Sequence, residues 1–127
     1  MSRSVLIVDD EAYIVTSLEF VMKSAGFEVG VAFDGEEALA KVAEMVPDLV
    51  ILDVMMPKLD GFQVCETIRA NPLWKSVRII MLTAKGRDAE RNKGMSLGAD
   101  DFLTKPFSTR DILKRAQEIL EVERVVS

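Results

Sequence analysis

Short apolar runs alternate along this chain with longer amphipathic stretches. The runs occupy 5–8, 29–32, 49–52, 79–82 and 102–103. Aliphatic runs of this length read as buried β-strands. Stretches of helical length lie between them at 12–25, 36–46, 62–70, 88–97 and 109–122. In the second of these, Ala38, Leu39, Val42, Ala43 and Val46 fall on one helical face. Gly26, Gly35, Pro47, Gly61, Pro72 and Gly98 punctuate the joints. Strands alternating with helices predict βαβ units and a parallel sheet, and right-handed crossovers leave few ways to assemble them. The simplest is an α/β fold with a five-stranded doubly wound sheet. In that class, ligands bind beyond the carboxyl ends of the strands, at the topological switch point.

Two of the runs end in acids at that edge: Val5-Leu6-Ile7-Val8 leads to Asp9 and Asp10, and Leu49-Val50-Ile51-Leu52 leads to Asp53. Side by side, the two strands gather three carboxylates in one pocket. At an effective dielectric of ~20, each pair at about 4 Å costs roughly 4 kcal/mol. Such a cluster needs a cation to offset it, and a hard divalent ion is the natural candidate. The fourth run ends at Thr83, and the fifth leads to Thr104-Lys105-Pro106-Phe107. Three acids, a hydroxyl and a lysine lack the usual parts for acyl transfer but suit phosphoryl chemistry. Mg²⁺ bridges carboxylates and phosphate oxygens, lysine acts as a point charge on phosphate, and a carboxylate serves as nucleophile.

Composition narrows the picture. With 127 residues, 49% of them hydrophobic, the chain suits a single domain spanning 1–127 with a sizeable core. A net charge of −5 argues against direct nucleic-acid binding. No apolar stretch approaches the ~20 residues of a membrane span and nothing resembles a signal peptide, so a cytoplasmic location and no membrane partner are expected. Cys65 is the single cysteine, which excludes an intramolecular disulfide. Histidine is absent, so any metal is held by oxygen, favouring Mg²⁺, Ca²⁺ or Mn²⁺ over zinc.

Four segments together resemble the receiver domains of two-component response regulators, of the chemotaxis-regulator type: Val8-Asp9-Asp10-Glu11; Leu52-Asp53-Val54-Met55-Met56-Pro57 with Asp60-Gly61; Leu82-Thr83-Ala84; and Gly98 through Phe107. No single motif is specific. Their order, spacing and placement at strand ends are jointly specific, and the likeness covers essentially the whole chain. The resemblance implies a flavodoxin-like (βα)5 fold with strand order 2-1-3-4-5. It implies a switch rather than an enzyme, with Asp53 as phosphoacceptor from a sensor histidine kinase or phosphotransfer protein. Asp10, Asp53 and the Met55 carbonyl become direct Mg²⁺ ligands, and Asp9 acts through water. Lys105 contacts the phosphoryl group, Thr83 is the switch hydroxyl, Phe102 is the switch aromatic, and the Lys105–Pro106 peptide is cis. The surface of the fourth helix, fifth strand and fifth helix is then the output.

Plainer readings stand beside these. Asp9 and Asp10 suit a solvated turn with one acid as a helix N-cap, and Thr83 suits an N-cap too. Lys105 by itself reads as a surface lysine, Phe102 and the methionines as core, Cys65 as small packing, and Trp74 as cover for the edge loop of the sheet. The positions two after Asp53 and two after Thr83 are Met55 and Lys85. Neither orients an attacking water, so slow autodephosphorylation is expected. Arg91, Lys93, Asp100, Asp101, Asp111, Lys114 and Arg115 mix charges on the output face, which suits homodimerisation about a two-fold axis. Rival functions are an aspartyl-phosphate phosphatase, which needs an acid where Met55 stands; a flavin or nucleotide carrier, which needs a phosphate loop after the first strand; and a degenerate receiver acting as a constitutive binding module. No effector domain follows within this sequence: a stand-alone regulator would then have protein–protein output, and the receiver piece of a longer protein would pass the signal to a DNA-binding or enzymatic domain.

Overall fold

The structure, a computed structural model, describes residues 3–84 and 88–126, with side-chain surroundings up to Leu120. Strands and helices alternate throughout: β1 (Ser4–Val8), α1 (Ala12–Ser24), β2 (Glu28–Ala32), α2 (Gly35–Met45), β3 (Leu49–Asp53), α3 (Gly61–Ala70), β4 (Arg78–Thr83), α4 (Asp88–Ser96), β5 (Asp101–Thr104) and α5 (Thr109–Val126). A 3-10 turn, Pro72–Trp74, precedes β4. All strand pairs are parallel, in the order β2-β1-β3-β4-β5. This is the flavodoxin-like arrangement expected from the alternation and the resemblance.

The aliphatic runs explain why the sheet is covered on both faces. Side chains alternate across a strand, so each run feeds two cores. Leu6, Val8, Val50, Leu52, Ile79 and Met81 pack under α2 and α3, with Ala38, Val42, Val64, Cys65 and Ile68. Val5, Ile7, Leu49, Ile51, Ile80 and Leu82 pack under α1 and α5, with Ile14, Leu18, Met22, Ile112, Ala116 and Leu120. Every residue of β3 is buried, as befits the central strand. Trp74 lies partly buried against the first core, and Cys65 is a packing residue with its Sγ 3.6 Å from the Leu97 carbonyl.

Two helix starts are fixed locally. Asp34 caps α2 by accepting the Glu37 N–H at 2.8 Å. Asp60 and Gln63 form a reciprocal capping box at α3. The glycine between them brings α3 against the end of β3, because a Cβ on Gly61 would stand 2.4 Å from the Asp53 carbonyl oxygen. The helix α4 departs from the amphipathic expectation: Gly94 is its one buried residue. Its remaining positions are polar or only partly covered, so packing holds this helix less firmly than the other four.

Candidate functional site

Register brings the acids together. Val8 pairs with Leu52 across β1 and β3, so the residues that follow, Asp9 and Asp53, emerge side by side. Carboxylate oxygens of Asp9, Asp10 and Asp53 lie within 4.8 Å of one another. Asp9 and Asp53 are buried and Asp10 is exposed. The turn into α1 is held by Asp9, whose Oδ1 accepts the Glu11 N–H at 2.9 Å. The N-cap residue of α1 is Glu11, whose side chain makes no capping bond, so neither aspartate occupies the N-cap position.

Lys105 crosses from the end of β5 into this cluster. Its backbone N–H donates to the Thr83 carbonyl at 2.6 Å, tying the ends of β4 and β5. Its Nζ stands 3.0 Å from Asp9 Oδ2, 2.9 Å from Glu11 Oε1 and 3.3 Å from Asp53 Oδ1. The Asp9 contact is an ion pair without hydrogen-bond alignment. The Lys105–Pro106 peptide is cis. A surface reading of Lys105 is therefore replaced: its side chain is only 13% exposed.

The electrostatics follow from burial. Asp53 is pushed up to about 7, first by desolvation and then by the charge of Asp9, against the pull of Lys105. Burial also raises Asp9, opposed by the Glu11 N–H and by Lys105. Burial alone would lower Lys105, yet Glu11, Asp9 and Asp53 together raise it. Lysine thus offsets part of the repulsion, and the carboxyls still resist ionisation. Hard-ion chemistry fits this donor set: the ligand atoms are all carboxylate oxygens, and Asp9 Oδ2 is buried without a hydrogen bond.

The remaining expected residues fall around this centre. Thr83 is the last, buried residue of β4, one past Leu82, which is the cross-strand partner of Asp53. Ala84 after it is not helical, so Thr83 is a strand end rather than a helix N-cap; its Oγ1 approaches Glu90 at 3.5 Å. Met55 stands on the loop after β3 with its side chain in solvent, held near the site by Val54, whose N–H donates to the Leu82 carbonyl at 2.9 Å. Lys85 lies outside the described residues. Phe102 is buried, its ring directly beneath Gly94 of α4, where a Cβ would come within 3.2 Å of it. On the face formed by α4, β5 and α5 several charges are engaged within the chain. Asp101 pairs with Arg115, Asp100 turns to Arg69 and Arg78, and Lys93 lies 4.5 Å over the Phe62 ring. Arg91, Asp111 and Lys114 are exposed.

Glu11 is the site residue the sequence reading left without a role. Its signal was position, directly after the paired aspartates; nothing local says that it reaches a lysine 94 positions away. Beside it opens a groove of about 450 Å³, lined among others by Glu11, Tyr13, Ser17, Lys105, Phe107 and Thr109. No helix among the described residues is long and apolar enough to cross a membrane.

Known proteins carry the same layout. The chain is 45% identical over all of its 127 residues to the alkaline phosphatase synthesis transcriptional regulatory protein PhoP of Bacillus subtilis, and spans about half (52%) of that relative's length. A response regulator from Chloroflexus aurantiacus superposes with a TM-score of 0.89 at 40% identity, covering 95% of this chain and 99% of that one. The CheY of Borrelia burgdorferi, solved in complex with CheX, BeF3 and Mg²⁺, superposes with a TM-score of 0.86 at 34% identity, covering 93% and 89%. Receiver domains of this kind are phosphoacceptors rather than conventional enzymes, they bind Mg²⁺ at acidic residues, and they work as phosphorylation-dependent switches in two-component signalling. With residues 5–117 matching the response regulator receiver domain, and its fold and acid cluster in place, the chain belongs to that family.

Proposed function

We propose that this chain, as one receiver domain over 1–127, takes a phosphoryl group on Asp53 from the phosphohistidine of a sensor kinase or phosphotransfer protein. The observation that carries this reading is the buried Asp53 carboxylate with Lys105 Nζ 3.3 Å away, at the sheet edge where phosphate chemistry is expected. An Asp53 oxygen attacks phosphorus, the N–P bond breaks, and the imidazole leaves with the electron pair. Asp10, Asp53 and the Met55 carbonyl would hold Mg²⁺ directly, with Asp9 acting through water. When bound, the ion neutralises charge on the carboxylates and phosphoryl oxygens. Lys105 supplies the second positive charge from the other side.

The switch then follows from Thr83 and Phe102. Thr83 gains a hydrogen bond by moving toward the new phosphoryl oxygens. Its movement favours the buried position of Phe102 under α4. Phosphorylation shifts an existing equilibrium, and about 5.5 kcal/mol of differential stabilisation takes 1:99 to 99:1. The weakly packed α4 is the element with most freedom to respond, and a downstream partner or effector domain reads the change. We extend the reading to homodimerisation through α4, β5 and α5, where Arg91, Asp111 and Lys114 remain exposed. Sedimentation with and without beryllofluoride checks it: a monomer in both states removes the dimer and leaves the phosphoacceptor intact.

Met55 argues against a phosphatase, since a thioether has no proton to give a leaving group, and against rapid hydrolysis, since it orients no water. The decisive experiment is incubation with acetyl phosphate and Mg²⁺, read by intact mass. One added phosphoryl group that needs Mg²⁺ and is lost in Asp53→Asn is the expected result. Its decay over minutes or longer, without a phosphatase, is expected too, and loss within seconds contradicts the role given to Met55.

A further inference from the structure

Lys105 has three carboxylate partners, and they differ in what it costs to lose the lysine. The Asp9 and Asp53 side chains are 1% and 5% exposed, so leaving either without its cation strands a buried charge. The Glu11 side chain is 40% exposed, so water rehydrates it at once. Glu11 also makes the shortest of the three contacts, 2.9 Å. Its orientation is built rather than incidental. It occupies the N-cap of α1, where side chains usually bond the helix N–H groups, yet it makes no such bond. Instead its Oε2 accepts the Tyr13 hydroxyl at 2.7 Å while Oε1 takes Lys105. Tyr13 is itself 69% exposed, so core packing does not account for its position. Both contacts lower the pKa of Glu11 from its ordinary value, Lys105 foremost.

We infer that Glu11 is a positioning residue for Lys105: braced by the Tyr13 hydroxyl, it holds the ammonium at the rim and is the partner Lys105 gives up when a phosphoryl group sits on Asp53. The phosphoryl oxygens need hydrogen bonds from Lys105, and of its three ammonium donors one is hydrogen-bonded to Glu11, while Asp9 and Asp53 are held as ion pairs. Glu11 competes for one of them and releases it most cheaply. It thereby sets how tightly the site holds a phosphoryl group. This inference rests on Asp53 being the phosphoacceptor.

The test is the affinity for beryllofluoride, a phosphoryl mimic, at saturating Mg²⁺, measured by ¹⁹F NMR. Glu11→Gln keeps shape and removes the competing charge, so binding should tighten by about two- to five-fold, in the range of a partly exposed ion pair. Misfolding does not produce tighter binding. Glu66→Gln, which removes an equal charge from the exposed face of α3, should leave affinity unchanged. In the metal-free protein, the Lys105 ammonium protons should exchange faster in Glu11→Gln than in wild type, by ¹⁵N-detected NMR. Unchanged or weaker binding in Glu11→Gln, an equal gain in Glu66→Gln, or unchanged ammonium exchange overturns the inference alone. A wild-type protein that binds no beryllofluoride overturns the phosphoacceptor reading and this inference with it.

Discussion

Asp9 and Asp10 are neighbours of one residue type, yet they belong to two different regions of the pocket. Asp9, with Asp53, forms a floor fixed by paired strands and sealed from water. Asp10 and Glu11 form a rim that solvent reaches. The floor holds charge at a cost set by burial. The rim holds charge cheaply and can exchange partners. A receiver needs both: a nucleophile in a fixed place, and ligands that rearrange when a metal or phosphoryl group arrives. Lys105 joins the two regions by touching both.

Removing floor charges tests this most severely. Asp53→Asn should abolish the phosphoryl adduct entirely. It should also stabilise the metal-free protein at pH 7.5, because a group raised from 3.8 to about 7 binds more protons folded than unfolded. Stability of the wild type therefore falls as pH rises from about 4 to 7, on the order of 3 kcal/mol at most for this one group. Urea titrations across that range should show the slope in wild type and a shallower slope in Asp53→Asn. A wild type equally stable at pH 5 and pH 7.5 contradicts the floor's electrostatics.

Lys105→Ala removes the cation and leaves the floor acids facing each other. Loss of roughly 3 kcal/mol is expected at pH 8, where Asp53 is ionised, and less at pH 5, where Asp53 is protonated. The raised pKa of Lys105 has the same sign in a higher window: its contribution is complete below about 10.5 and fades only as pH climbs beyond that. Equal losses at both acidities would mean that Lys105 matters for packing rather than charge. Mg²⁺ should act next in size, adding about 2.7 kcal/mol at a hundred-fold excess over its Kd. That gain should shrink at pH 5.5 as protons compete for the ligands, which thermal melts at both pH values would reveal.

The rim should be the quiet partner. Asp10→Asn is expected to weaken Mg²⁺ binding about ten-fold or more, yet to move metal-free stability by less than about 0.5 kcal/mol. If it destabilises the metal-free protein as much as Lys105→Ala, then floor and rim are one region and the comparison collapses.

Most of the fold was legible because buried parallel strands leave uninterrupted aliphatic runs, and all five lie within a residue of the observed strands at each end. β5 was harder: it has two apolar residues at its centre, and its ends are set by pairing with β4 rather than by its own sequence. α4 has helical length in the sequence, but its lack of a buried stripe only emerges when the sheet beneath it is in place. The acids were legible because strand ends place them, and Lys105 because proline fixes its exit from the sheet. Glu11 was not, since its partnership spans nearly the whole chain. The charges around β5 look alike in sequence, yet Asp100 turns inward to Arg69 and Arg78 while Asp101 meets Arg115. Side-chain direction at the edge of β5 decides that, and no periodicity reports it.

The claim at the centre is that Asp53, and neither of its neighbouring acids, takes the phosphoryl group. Treatment with acetyl phosphate and Mg²⁺, reduction of the acyl phosphate with borohydride, and peptide mapping by mass spectrometry locate the modified residue directly. Homoserine at position 53 alone is the predicted result. Homoserine at position 9 or 10, or at no position while the intact mass shows an adduct, would contradict it.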